Sequence, residues 1–420
     1  MLKALRMRLT VPFPNPYRGL RGLPADVWIV AATTLVNRVG MMALPFLVLY
    51  LTRFLHISAA RAGFAITVYG LGGLLTAPIA GRLADRVGPY TVVRGSLSLS
   101  GVILLVFPLA RSYWVVLALT FVWAVVADAT RPATMAALTT SAPENQRKAA
   151  IALNRLAVNL GMSIGPAVGG FLALVSFPLL FIVDGLTSLA AAALLSGLLW
   201  ARRRRRPAAQ PEEQSARPLA AVFSRSSVVW RDHAVLLVFA TSILLNIVFT
   251  QHEGAMPLYL VRDLQYRESF FGGLFVLNTL IIVTIEVPLN VAMAHWSARP
   301  TLALATVLVA AGFGALAIAQ APLPVALTVA IWTFGEMIFF PTATAYVAQL
   351  APQGRTGEYM GGFAATFSLA LIVGPWLGAA LLDRVGGPAT WLTMFAIGLS
   401  ASALMAFAPE RARVTAVISE

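Results

Sequence analysis

The chain contains no cysteine, so neither disulfides nor thiolate-held metals enter its chemistry. Charge is nearly as scarce: Asp, Glu, Lys and Arg make up only 11% of 420 residues, less than half the share usual in soluble domains. No HExxH, no Gly-x-Ser-x-Gly and no phosphate-binding loop occurs, which argues against a membrane hydrolase or an ATP-driven machine. The first 26 residues carry Lys3, Arg6, Arg8, Arg18 and Arg21 without a signal-type apolar core and cleavage site, so no cleavable leader is expected.

What is present is apolar. Hydrophobic residues reach 59% and the mean hydropathy is +0.80. Runs of ~20 apolar residues recur along the whole length, the spacing that a bilayer core demands. Twelve spans are expected, at about 27–51, 62–83, 91–110, 113–137, 149–174, 178–200, 234–260, 270–294, 300–320, 322–347, 358–382 and 389–408. The fold class is therefore an all-α integral membrane protein with two six-helix bundles, 27–200 and 234–408. A basic, Pro-rich linker at 201–233 divides them, and polar segments at 1–26 and 409–420 flank them.

The net charge of +14 is explained by position rather than by nucleic acid. With the N-terminus in the cytosol, 22 of the 31 Lys and Arg fall on cytoplasmic segments, six on the opposite side and three inside spans. By that asymmetry both termini are expected on the cytosolic side, and the membrane is expected to be a bacterial-type cytoplasmic one whose anionic lipid the basic segments can meet.

The halves are related. PATMAALTTSAPENQRKAA from Pro132 and PTATAYVAQLAPQGRTGEY from Pro341 lie 209 positions apart. The same shift superposes Pro143 on Pro352, Gly165-Pro166 on Gly374-Pro375 and Gly169 on Gly378. Duplicated six-span halves are a recurrent transporter plan, with the substrate site between them near the midplane.

Two motifs carry a resemblance. GRLADRVG, Gly81–Gly88, resembles the signature between the second and third helices of the major facilitator superfamily. GMSIGPAVGG, Gly161–Gly170, resembles an element in the fifth helix of its drug:proton antiporter branch. The resemblance implies twelve helices, alternating access and a cavity lined by spans 1, 4, 7 and 10. It also implies a cytoplasmic gate at Gly81, Asp85, Arg86 and Gly88, where Asp85 accepts from the N-terminus of the eleventh span. Pro89 stands where a basic residue is usual, and the second-half counterpart VAMAHWSARP lacks the Asp, so a one-sided latch is expected. Gly161, Gly165, Pro166, Gly169 and Gly170, with Gly374 and Pro375, form a hinge by close helix approach and loss of a backbone donor.

Ionisable residues inside spans cost roughly 2.5–3.5 kcal/mol each and mark function by default. Asp128 and Arg131 in ADATRPA are three apart and able to neutralise each other; Glu336 falls one position from the repeat image of Asp128. Glu253 in TQHEGAMPLYL and Glu286 in VTIEVPLN have no local partner. Asp128, Glu253, Glu336 and Glu286 are the candidate proton-coupling groups. Arg38, Arg131, Asn246, Trp123, Trp332 and Phe339 are candidate substrate contacts. Arg155 is expected to snorkel to headgroups and Asp184 to serve packing. His252 and Met256, four apart, with Met41-Met42, would suit Cu(I), but four His and twelve Met are no enrichment, and no metal site is assigned.

The function expected is secondary transport, foremost proton-coupled export of small amphipathic compounds by a monomer. The alternative is a proton-coupled importer of a nutrient, siderophore or metal complex. No cofactor is expected beyond the proton as coupling ion.

Overall fold

The computed structural model describes residues 22–143, 146–205, 231–293, 295–352 and 355–406. The stretches 1–21, 206–230 and 407–420, which hold the expected N-terminal segment, most of the linker and the C-terminal tail, lie outside them, as do the side chains of Arg82 and Asp85.

Every regular element among the described residues is helical: α1 Ala25–Gly40, α2 Ala43–Leu49, α3 Ala59–Val87, α4 Pro89–Val106, α5 Tyr113–Asp128, α6 Thr130–Ser141 and α7 Arg147–Val175. They continue with α8 Phe177–Arg205, α9 His233–Phe249, α10 Ala255–Leu258, α11 Glu268–Ala292, α12 Ala298–Ala315, α13 Pro322–Leu350 and α14 Thr356–Ala406. Lipid offers no hydrogen bonds, so an apolar run satisfies its backbone only by coiling. Ten stretches are long and apolar enough to cross a membrane. The last, Tyr359–Met405, spans 47 residues, about twice what a ~30 Å core needs. It is two helices joined at Gly386, whose φ of 78° breaks the coil. α3 is a further 29-residue helix. Large apolar side chains such as Trp114 and Ile318 point outward, which a lipid solvent permits and water does not.

Two departures from the expected spans are informative. α8 runs to Arg205, beyond the expected end at 200, because arginine is a good helix former. The first and seventh spans are broken near their middles, at Met41-Met42 and at Thr250–Gly254.

The repeat is visible in the backbone. π-helical turns close the broken spans at Tyr50–Phe54 and Tyr259–Asp263, and left-handed residues follow at His56 and Gln265; each pair is 209 positions apart. The halves meet where α3 packs on α14 and α7 on α11. Each seam holds one glycine of the same repeat pair. A Cβ on Gly63 would lie 2.9 Å from the Pro375 carbonyl and from Ala379, and one on Gly272 would strike the Pro166 carbonyl. The two Gly-Pro elements thus each receive the glycine of the opposite half.

Candidate functional site

The seams seal one end of the bundle. There Arg53 Nη2 donates to the Val261 carbonyl at 2.5 Å and Phe46 meets Phe271 edge-on at 5.3 Å. At the opposite, basic end, α1, α6 and α7 pack through Val27, Ala137 and Ala150. A cavity of about 510 Å³ lies between the halves. Its walls use positions 30–44 of α1 and α2, 128–137 of α5 and α6, and 151–162 of α7, together with the end of α9, the broken turn after it, and the middles of α11 and α13. It therefore runs from the centre of the bundle toward the basic end.

One wall belongs to the first half. Arg38 lies two residues before the break, its backbone wedged against Gly161 and Gly165 of α7, and it donates to Met41 Sδ at 2.8 Å. The break has its own cap: Asp184 Oδ2 accepts from the Met42 and Ala43 N–H groups at 3.2 and 3.1 Å. Asp184 was expected to serve packing; it is a buried backbone acceptor, because two peptide donors freed inside the membrane need one. Asp128 ends α5, and its carboxylate turns toward Gly73 of α3. That is why the expected Asp128–Arg131 neutralisation is no direct pair: no salt bridge joins them among the described residues. Arg131 and Arg38 still act on Asp128 electrostatically. Tyr69 of α3 completes this wall.

The other wall belongs to the second half. In the broken turn of the seventh span, His252 Nδ1 lies 2.6 Å from the Phe249 carbonyl, which can only accept, so the proton sits on Nδ1. His252 Nε2 then faces Glu253 Oε1 at 3.7 Å. The imidazole lies nearly parallel to Trp332 at 6.3 Å, and Phe249 meets Trp332 edge-on at 5.7 Å. Glu336 accepts from Asn278 Nδ2 at 3.0 Å, and Asn278 also donates to Thr333 at 2.9 Å.

Arg155 and Glu286 join α7 to α11 across the halves by a direct ion pair. This corrects two expectations: Glu286 has a partner, and Arg155 lines the cavity instead of reaching only for headgroups. A half-exposed guanidinium next to a largely buried carboxylate gains more from that charge than from a headgroup further off.

Of the expected site residues, Arg38, Asp128, Arg131, Glu253, Trp332 and Glu336 line the cavity. Trp123, Asn246 and Phe339 do not: all three are buried behind the wall, with Trp123 against Tyr69 at 5.0 Å and Phe339 against Phe340 at 5.6 Å. Their helical faces turn into the bundle of their own half. The hinge glycines divide by partner. Gly161, Gly165 and Gly169 take the broken first span, Gly374 takes Thr250 and Ile247 of the seventh, and Gly170 takes Glu268 of the other half. Of the gate, Gly88 is the left-handed turn joining α3 and α4 (φ 86°). Arg86 is exposed, with no cross-half ion pair among the described residues, while Gly81 falls within α3 and the Asp85 side chain lies outside what is described. Asn278 and Tyr69 escaped the sequence reading, although a polar amide inside an apolar run was the available signal for Asn278. No group of three or more His, Cys, Asp or Glu able to hold a metal occurs among the described residues.

Comparison with known proteins agrees with this architecture. The Major Facilitator Superfamily model matches residues 30–282 and 253–419. The uncharacterized MFS-type transporter YqjV of Bacillus subtilis is 23% identical over 363 residues, 86% of this chain and 87% of that one. Multidrug resistance protein 1 of the same organism is 24% identical over 331 residues, 78% and 82% of the two chains. A peptide transporter, POT, crystallised with sulfate, superposes with a TM-score of 0.75 at 16% identity, over 93% of this chain and 95% of its own. YqjV and POT are transporters by name, and the family model spans most of this chain: the protein belongs to the Major Facilitator Superfamily and is a transporter, not an enzyme.

Proposed function

We propose that the protein is a proton-coupled exporter of small amphipathic compounds, working by alternating access in a bacterial cytoplasmic membrane. One observation carries this reading: a cavity closed at one end presents carboxylates from both halves, Asp128 on one wall and Glu253 and Glu336 on the other. Exchange of a proton for substrate needs an acid that both can reach, and the broken turn at Thr250–Gly254 puts Glu253 on the wall beside aromatic rings. Discontinuous helices at matched positions of the two halves are where transporters of this plan hold substrate and coupling ion. The positive-inside asymmetry supports a cytoplasmic basic end, and with it a cavity that faces the cytosol. The multidrug relative supports export as the direction.

The test uses purified protein in liposomes with a pH-sensitive dye inside. Addition of an amphipathic substrate should release protons with wild type, and Glu253→Gln should abolish that release while membranes stay tight. Substrate uptake that runs down an inward proton gradient would make the protein an importer and overturn the reading.

A further inference from the structure

The two walls of the cavity are oppositely charged, and neither is neutralised within itself. On the first-half wall, Arg38 and Arg131 each carry five N–H donors. Among the described residues the only hydrogen bond from either guanidinium goes to Met41 Sδ, and neither has a carboxylate within salt-bridge distance. Asp128 offsets one of the two charges electrostatically, which leaves this wall positive by one. Arg155, the other cation on the cavity, is taken by Glu286. On the second-half wall Glu336 accepts from the neutral Asn278 amide, and Glu253, with the His252 ring at 3.7 Å, has no Lys or Arg within salt-bridge distance among the described residues, while Arg131 acts on it from the opposite wall. On the same wall Phe249, Phe275 and Trp332 pack around His252, the chain neighbour of Glu253, and the Trp332 indole N–H, buried, has no acceptor among the described residues.

From this polarity we propose that the transported compound is a zwitterionic amphiphile, an apolar body bearing one carboxylate and one protonated amine, with the carboxylate on Arg38 and Arg131 and the amine at Glu253. The inference rests on the reading that this cavity holds the transported compound. A lone cation would leave the guanidiniums unanswered at membrane depth, where unpaired charge is the costly state, and a lone anion would give Glu253 nothing to exchange for its proton. Guanidinium groups suit a carboxylate because two parallel N–H groups match its two oxygens. Ring faces beside a carboxylate suit an ammonium by cation–π attraction. A space of about 510 Å³ lies within the range of sites for small organic ligands.

The test compares matched probes on the full-length protein. Three scaffolds are used: a quinolone acid with a piperazine amine, a dipeptide of two aromatic residues, and biphenylalanine. Each is supplied as the zwitterion, as its methyl ester and as its N-acetyl derivative, and binding is followed by calorimetry. On the scaffold that binds best, the zwitterion should bind about tenfold or more tighter than either capped form. Arg38→Gln should bring the zwitterion-to-ester ratio close to one, and Arg38→Lys, which keeps the charge, should preserve part of it. Glu253→Gln should do the same to the zwitterion-to-N-acetyl ratio. Esters that bind as tightly as the zwitterions on every scaffold, or ratios that Arg38→Gln leaves intact, overturn the proposal. If esters bind and drive proton release, the exporter reading survives and only the zwitterion falls. If no compound binds or moves a proton, both fall.

Discussion

Asp184 shows how one buried side chain sets the shape of a site that it never touches. Its carboxylate accepts from two consecutive peptide N–H groups at the break of the first span, and that break presents Arg38 and Met41 to the cavity. Asp184→Ala would leave both donors unsatisfied in a water-free interior, a loss of about 1–3 kcal/mol for each group. A thermal melt of purified protein should fall by several degrees. Asp184→Asn retains one acceptor oxygen and should lose clearly less; equal losses would show that the carboxylate does not act through these hydrogen bonds. The same logic explains why Glu286 was unreadable as a paired residue. Its partner, Arg155, lies 131 positions away in sequence, and no local pattern announces such a meeting.

At the level of elements, the glycines of the two Gly-Pro helices and those of α3 and α11 facing them do three separate jobs. Some admit the broken span of their own half, some the neighbouring half, and Gly272 and Gly63 are the return contacts from the other side. Helices in lipid lack a hydrophobic drive to associate, so close backbone approach at small residues supplies the attraction instead. Gly272→Val places branched carbons against the Pro166 carbonyl. Spin labels at the sealed ends of α7 and α11 should then report a longer mean distance, with transport reduced. Gly273→Val is the control, because nothing lies within 4 Å of a Cβ there, and it should leave the distance unchanged. If both variants behave alike, the seal does not depend on that approach. The repeat also sorts what the halves share from what they do not: the π-helical ends and left-handed residues recur, whereas the charged groups of the cavity differ from wall to wall.

For the whole molecule, the Arg155–Glu286 pair bridges the halves on the open side of the cavity, while the glycine seams hold the opposite end. Under the proposed alternating access one end parts as the other closes, so on that reading this bridge breaks and re-forms in each cycle. Arg155 is 56% exposed, and solvent screening keeps such a pair weak. Reversing either charge, Arg155→Glu or Glu286→Arg, should therefore lower transport only about threefold, a small coupling of the size expected for contacting residues. The double reversal should restore most of it. Failure of the double variant to recover, at normal expression and melting temperature, would mean that the two charges act independently of each other.

Much was open to reading along the chain. The length and spacing of the apolar runs require membrane-crossing helices, since no other backbone arrangement satisfies itself in lipid. The 209-residue shift required two related halves, and the expense of charge at depth singled out Arg38, Asp128, Glu253 and Glu336, which all reach one cavity. What stayed hidden was which side of each helix faces inward. In water a polar stripe marks the outer face, but in lipid the outer and packed faces are equally apolar, so the pattern carries no direction. Trp123, Asn246 and Phe339 were therefore indistinguishable from wall residues until the bundle turned them away. The breaks at Met41-Met42 and Thr250–Gly254, the service of Asp184 and the meeting of Arg155 with Glu286 were decided by tertiary packing alone, because each depends on a neighbour that only the folded helices bring within reach.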